Sequence, residues 1–272
     1  MPDGVVHSPV FLRVIIGLVL AGAIALVARR AGSLSTSGAL AATCMGTVCA
    51  AAGAGWGALL IVYFVAASLL TRYGRREKER LTDGVVAKPG ARDATQVIAN
   101  GGIYAACLVV AAFCPERIAT VMYFAAIGAL AASSADTWAT EIGTLHGGTP
   151  RSLFTLKPVA PGTSGGISVV GSVAMLAGAA CVAVVAMLLG LPSVPWAVTI
   201  GGFAGAIADS VLGATLQERR WCSTCATASE QRVHTCGTAT THVGGVAWLN
   251  NDTVNLLSTV IGGAVAALLA SL

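Results

Sequence analysis

Charged residues are scarce in this chain: 10% of its 272 residues are Asp, Glu, Lys or Arg, against 56% that are apolar. A soluble domain averages about 25% charged residues, so a chain this poor in charge cannot cover itself with a wetted surface. It reads as an integral membrane protein. Other absences narrow the function. No Gly-Lys-Ser or Gly-Lys-Thr closes a glycine-rich stretch, which sets aside a P-loop nucleotide site. No tandem repeat is evident. The first apolar run lacks a small-residue cleavage site, so it is expected to be a retained helix rather than a signal peptide. The net charge of +4 is modest. Topology and anionic lipid account for it, and no nucleic-acid partner is implied.

What is present is apolar length. Runs near residues 10 to 28, 36 to 53, 56 to 71, 97 to 113, 118 to 135, 166 to 190, 197 to 214 and 253 to 271 each approach the ~20 residues that cross hydrocarbon as a helix. The expectation is an all-α polytopic transmembrane bundle of about eight spans. It forms one integral membrane domain over residues 1–272, with a cytoplasmic Cys/His insertion at 215–250. The second run, rich in Gly, Ala and Thr, reads alternatively as a short or re-entrant segment packed inside protein. Glycines in the spans, Gly201 and Gly205 among them, read as helix packing rather than chemistry.

The cations are one-sided. Arg29, Arg30, the cluster from Arg72 to Arg92, Arg151, Lys157, Arg219, Arg220 and Arg232 share one side of an eight-span arrangement, and Arg13 and Arg117 lie on the other. The positive-inside rule then puts loops 72–96, 136–165 and 215–251 in the cytoplasm and both termini outside, in the inner (plasma) membrane of a cell.

Against this background four of the twelve carboxylates stand out: Asp136, Glu141, Asp209 and Asp252 all lie at the ends of apolar segments. An ionised carboxylate is costly to move from water to hydrocarbon, so acids at membrane depth bind a cation, a proton or one another. Asp136 shares a helical face with Thr140, whereas Glu141 is offset and reaches the same site only from an adjacent turn or a broken helix. Asp209 is flanked by Gly205 and Gly213 at i−4 and i+4, which clears the surface around it; its bland alternative is a buried hydrogen-bonded acid. Asn251 and Asn255 share a face beside Asp252, which reads equally as a helix cap. Acids from three segments at one membrane face suit Mg²⁺, with Asp136, Asp209 and Asp252 as ligands.

Two segments suggest phosphate. In the first, Gly162, Gly165 and Gly166 flank Thr163 and Ser164 just before a long helix, where backbone N–H groups can turn toward an anion. The alternative is an ordinary glycine-rich turn with Thr163 or Ser164 as the cap. In the second, Lys88 and Arg92 precede the fourth span, and Gln96 and Asn100 follow at i, i+4 spacing. Most charges of loop 72–92 read as topogenic.

Five of the eight cysteines fall in or beside spans, where a thiol is a small apolar group. Cys222, Cys225 and Cys236 instead lie in a polar loop with His234, a CxxC followed by an HxC. That spacing suits a tetrahedral structural Zn²⁺, with His242 as an alternative fourth ligand. A redox CxxC competes but explains neither Cys236 nor the histidine.

The blocks at 135–143, 162–168, 201–217 and 250–256 resemble the signature blocks of a polytopic membrane family of largely unassigned function that includes a plant phytyl-phosphate kinase. The resemblance implies a nucleotide-dependent kinase acting on an isoprenyl monophosphate lipid, with a nucleoside triphosphate, CTP or ATP, as donor and Mg²⁺ as cofactor. Asp136, Glu141, Asp209 and Asp252 would hold the metal and organise the site, and Gly162 to Gly166 and Asn251 would hold phosphates. The rival classes are a secondary transporter, which keeps its site near the midplane, and another lipid phosphotransferase. A CDP-alcohol transferase is disfavoured because no Asp-Gly-x-x-Ala-Arg block is present.

Overall fold

The computed structural model describes residues 9–82, 85 and 90–272. Its helices, in chain order, are α1 (Val10–Arg30), α2 (Thr36–Ala52), α3 (Ala54–Arg72), α4 (Arg75–Leu81), α5 (Ala94–Phe113), α6 (Glu116–His146), α7 (Val169–Leu188), α8 (Pro195–Thr215) and α9 (Asn251–Ala270). Seven of these are long and apolar enough to cross a membrane, while α2, at 17 residues, is shorter. α2 nevertheless lies antiparallel along α1, with Gly17 against Ala50, Gly46 against Ala21 and Gly22 against Thr43. The expectation of about eight spans therefore resolves into seven long helices and this shorter one.

The helix starts at one end of the bundle are built by side-chain caps. Ser35 accepts from the N–H of Gly38 at 3.1 Å, Ser168 from Gly171 at 3.0 Å and Asn250 from Thr253 at 3.0 Å. Asp93 and Gln96 form a reciprocal capping box at the head of α5. At the other end the chain turns on backbone shape instead: Gly53 precedes α3, Pro115 precedes α6, and Pro195 occupies the first turn of α8. Two expectations are corrected here. The cap of α7 is Ser168 rather than Thr163 or Ser164, and the cap of α9 is Asn250 rather than Asp252.

α6 is the axis of the molecule. Every residue from Ala125 to Ala135 is buried, and the helix packs against α3, α5, α7, α8 and α9. Small residues permit this. A Cβ on Gly205 of α8 would press on Ala132 of α6 and on the Ser258 carbonyl of α9, so these three backbones meet at a distance that no larger residue allows. Large apolar side chains such as Phe11, Val19, Leu69, Val173 and Leu188 point outward and form the lipid-facing belt.

α6 also departs from the expected pattern at its end. The segment from Asp136 onward was expected to open a cytoplasmic loop, but the helix continues unbroken to His146, 31 residues in all. At 1.5 Å per residue it is about 46 Å long, against about 30 Å of hydrocarbon in a bilayer. The connections hold the remaining structure. β1 (Arg151–Ser152) pairs antiparallel with β2 (Gly166–Ile167), and β3 (Arg219–Cys222), β4 (Thr227–Ser229) and β5 (Thr241–Gly244) form a small antiparallel sheet in the order β4-β3-β5. The bundle itself remains all-α.

Candidate active site

The ends of α6 and α8, the starts of α5, α7 and α9, the glycine-rich loop and part of the Cys/His segment enclose a cavity of about 560 Å³. Its wall contains Arg92, Gln96, Asn100, Asp136, Glu141, Gly162, Thr163, Ser164, Gly165, Gly166, Asp209, Asn251, Asp252 and Asn255. Phosphate and carboxylate candidates separated by more than a hundred positions in the chain thus share one space. Lys88 falls outside the described residues.

The acids differ in their surroundings. Glu141 is clamped: Lys78 Nζ donates to its Oε2 at 2.5 Å and Thr71 Oγ1 to its Oε1 at 2.5 Å. Lys78 donates further to the carbonyls of Leu70 at 2.7 Å and Thr71 at 3.0 Å, closing α4 against the end of α3. Arg92 Nη2 reaches the same Thr71 hydroxyl at 3.1 Å. Because α6 is continuous, Glu141 gets to the cavity from the next turn beyond Asp136, and no break in the helix is needed.

Asp209 is different. Its Oδ2 is buried and has no hydrogen-bond partner within the protein, a condition that costs free energy unless something outside the chain fills it. Asp252 accepts from Thr95 Oγ1 at 3.1 Å, in the first turn of α9. Asp136, Asp209 and Asp252 come from three helices and line this one cavity, and carboxylate oxygens are the hard donors that a divalent cation takes. Gln96 and Asn100 also hold the fold. Gln96 completes its capping box, and Asn100 donates to the Gln96 carbonyl at 2.8 Å while accepting from Ser133 Oγ at 2.8 Å.

The glycine-rich loop is shaped by backbone. Gly162 and Gly165 lie at φ 84° and 76°, a region that other residues rarely adopt. A Cβ on Gly165 would run into Ala214 of α8, so the loop can seat against that helix only as glycine. The loop also holds a group that motif reading did not anticipate. Glu230, carried in from the Cys/His segment, accepts hydrogen bonds from both the hydroxyl and the backbone N–H of Ser164. Burial pushes its carboxyl up to about 7, against the opposing effect of the Ser164 bonds. Glu218, ion-paired with Arg220 at 2.5 Å, lines the same cavity, as does Arg232. None of these three belongs to a motif; each is one polar residue in a polar segment.

The Cys/His residues lie outside the cavity wall and converge on one another. The ligand atoms of Cys222, Cys225, His234 and Cys236 all lie within 4.8 Å of one another, with Cys222 Sγ 3.6 Å from Cys236 Sγ and His234 Nδ1 3.2 Å from that sulfur. Zn–S bonds of 2.3 Å in a tetrahedron give S···S edges of about 3.8 Å, so the cluster fits a tetrahedral metal. Hydrogen bonding by Thr238, then by His234, lowers the Cys236 thiol to about 6, which favours the ligating thiolate. His242 is not in the cluster; its Nε2 lies 3.2 Å from the Gly245 carbonyl. A Cys₃His group can therefore hold a metal ion here, with His234 as the nitrogen ligand.

Comparison with known proteins agrees with this architecture. The family model described as integral membrane protein DUF92 matches residues 19–263. Protein PGR of Arabidopsis thaliana is 31% identical over 278 residues, covering 93% of this chain and 94% of its own length. An uncharacterized membrane protein of Synechocystis is 30% identical, covering 79% of this chain and 74% of its own. Protein VTE6, chloroplastic, of Arabidopsis thaliana is 28% identical, covering 87% of this chain and 65% of its own. No solved structure matches. With a family match across most of its length and the PGR likeness almost end to end, this chain belongs to the integral membrane DUF92 family.

Proposed function

We propose that the protein is a membrane-embedded isoprenyl-phosphate kinase that converts phytyl or geranylgeranyl monophosphate to the diphosphate with a nucleoside triphosphate and Mg²⁺. One observation carries the reading. Three carboxylates, one with a buried unpartnered oxygen, share a cavity with a glycine-rich loop and an arginine at a single end of a transmembrane bundle. The signature blocks that resemble the family of the plant phytyl-phosphate kinase lie on the walls of this same cavity, and VTE6 is a relative. A one-ended site suits a lipid kinase better than a transporter, whose site sits near the midplane.

In this reading a lipid phosphate oxygen attacks the γ-phosphorus of the nucleotide. The new bond is that O–P bond, the γ-phosphorus to β-oxygen bond breaks, and the nucleoside diphosphate leaves. The attacking oxygen is already anionic, so positioning and charge neutralisation suffice and no strong base is needed. Asp136, Asp209 and Asp252 would hold a divalent cation, Mg²⁺, which would supply charge neutralisation for the phosphates. Arg92 and the glycine-rich loop Gly162 to Gly166, through the N–H groups of Gly162 and Gly165, bind and orient them, together with Asn251 and Asn255; the N–H groups of Thr163, Ser164 and Gly166 are already given to Ala160, Glu230 and Thr163. Glu141, held by Lys78, keeps the site in shape. The Cys₃His group would hold a structural Zn²⁺ that orders the segment between α8 and α9, and the site faces the cytoplasm.

The test is product formation by purified protein in lipid nanodiscs with Mg²⁺ and CTP or ATP. Geranylgeranyl monophosphate is expected to yield its diphosphate, and Asp209→Asn is expected to reduce the rate by about 100-fold, the scale of a lost electrostatic stabiliser, with unchanged elution and melting. No diphosphate with any donor nucleotide refutes the function.

A further inference from the structure

A second cavity, of about 720 Å³, lies between α1, α2, α3 and α5 and shares Arg92, Gln96 and Asn100 with the first. Its wall is otherwise nearly all apolar, and small residues such as Ala21, Gly46, Gly57 and Ala58 give it room. Tyr63 presents its ring, since its hydroxyl is bonded to Ser133 at 2.7 Å. At the far end stands Arg13, whose buried Nε has no hydrogen-bond partner.

We infer that this cavity is the binding groove for the isoprenyl chain of the monophosphate substrate, with the phosphate turning at Arg92 into the carboxylate cavity and the chain end stopping near Arg13 and Gly53; this rests on the kinase reading above. The residues that line both cavities are Arg92, Gln96 and Asn100, a cation and two amides, which is the polarity expected where an anionic head meets an apolar tail. The length agrees. On α1 the wall runs from Arg13 to Ala25, twelve residues or about 18 Å at helical rise. An extended carbon chain advances about 1.1 Å per bond, as a strand does over its three bonds per residue, so the roughly sixteen-carbon backbone of a C20 isoprenoid spans about 17 Å. A charged guanidinium at the far end sets a limit, because burying more hydrocarbon against it is unfavourable.

The experiment compares geranyl, farnesyl and geranylgeranyl monophosphates on wild type, on Ala58→Phe near the far end and on Ala42→Phe nearer Arg92. Ala58→Phe is expected to raise the KM for geranylgeranyl monophosphate at least tenfold while leaving geranyl monophosphate within twofold, the short substrate serving as the folding control. Ala42→Phe is expected to raise KM for all three. Unchanged KM values in both variants overturn the groove and leave the kinase standing. If wild type makes no diphosphate at all, the kinase reading fails, and the groove is judged by photolabelling. A C20 monophosphate with a terminal diazirine then has to label 13–17 or 53–58 and be competed by unlabelled geranylgeranyl monophosphate; labelling confined to α7, α8 or α9, or competed equally by a diacyl phospholipid, overturns it.

Discussion

The pairing of Lys78 with Glu141 sets up a sharp test of how the site is held. The two side chains retain 10% and 17% exposure at a separation of 2.5 Å, so removing one partner strands the other away from water. Truncation of a buried ion pair costs about 3 to 5 kcal/mol, mostly as the penalty on the charge left behind. Because Glu141 keeps some contact with solvent and a hydrogen bond from Thr71, the lower end applies. Lys78→Met, which keeps the length of the stem, should therefore destabilise the protein by about 3 kcal/mol, partly by releasing the Leu70 and Thr71 carbonyls at the end of α3. Lys78→Met combined with Glu141→Leu should recover much of that loss, with a coupling energy of about 2 kcal/mol in the double-mutant cycle. Equilibrium unfolding in mixed detergent and SDS micelles measures both. Additive effects, or a single variant within about 0.5 kcal/mol of wild type, would show that the pair does not hold α4 against α6. Turnover gives a second reading. If Glu141→Gln abolished activity at unchanged stability, Glu141 would be a chemical group rather than a positioning one.

Other expectations follow from the Cys/His segment and from Glu230. Metal analysis of purified protein should give about one zinc per chain, in keeping with a closed four-ligand site, and Cys222→Ser should lose it; well-folded wild type without metal would rule the site out. Glu230 titrates near 7 in the folded protein, above the ordinary 4.5. Folding thus favours its protonated form, so its contribution to stability is fully present below about 4.5 and is lost as pH rises through about 7. Glu230→Gln should flatten the fall in stability between those limits relative to wild type, and identical pH profiles for the two proteins would refute the burial that raises this group.

Much of the bundle is legible in the chain because apolar length is a direct consequence of the bilayer. The exception is instructive. Apolar character fades at Ser133 and Ser134, so a hydropathy reading ends the fifth run at 135, yet α6 continues to His146 because its next turns line a polar cavity rather than meeting lipid. The carboxylates were visible because an acid beside hydrocarbon needs a reason. Their partners were not: Lys78 lies 63 positions from Glu141, and nothing in the local pattern of either announces the other. The small strands are set by turns and by cross-strand bonds over two to four residues, too short to leave a period of two. Glu230 is one acid in a polar loop, and only folding brings it to Ser164.

The length of α6 has a consequence for how the protein would meet its substrate. A helix of 31 residues that starts at one boundary of the hydrocarbon has crossed it after about 20, which brings Asp136 to the opposite boundary and leaves Glu141 and Thr144 among lipid headgroups. The acids thus stand at the level where a lipid carries its own phosphate. Under the kinase proposal, a phosphorylated isoprenoid would reach them by sliding sideways in the leaflet, without lifting its tail out of the membrane. Encounter would then be a search in a plane, and the quantity governing its rate would be the mole fraction of substrate in the bilayer rather than its amount per litre.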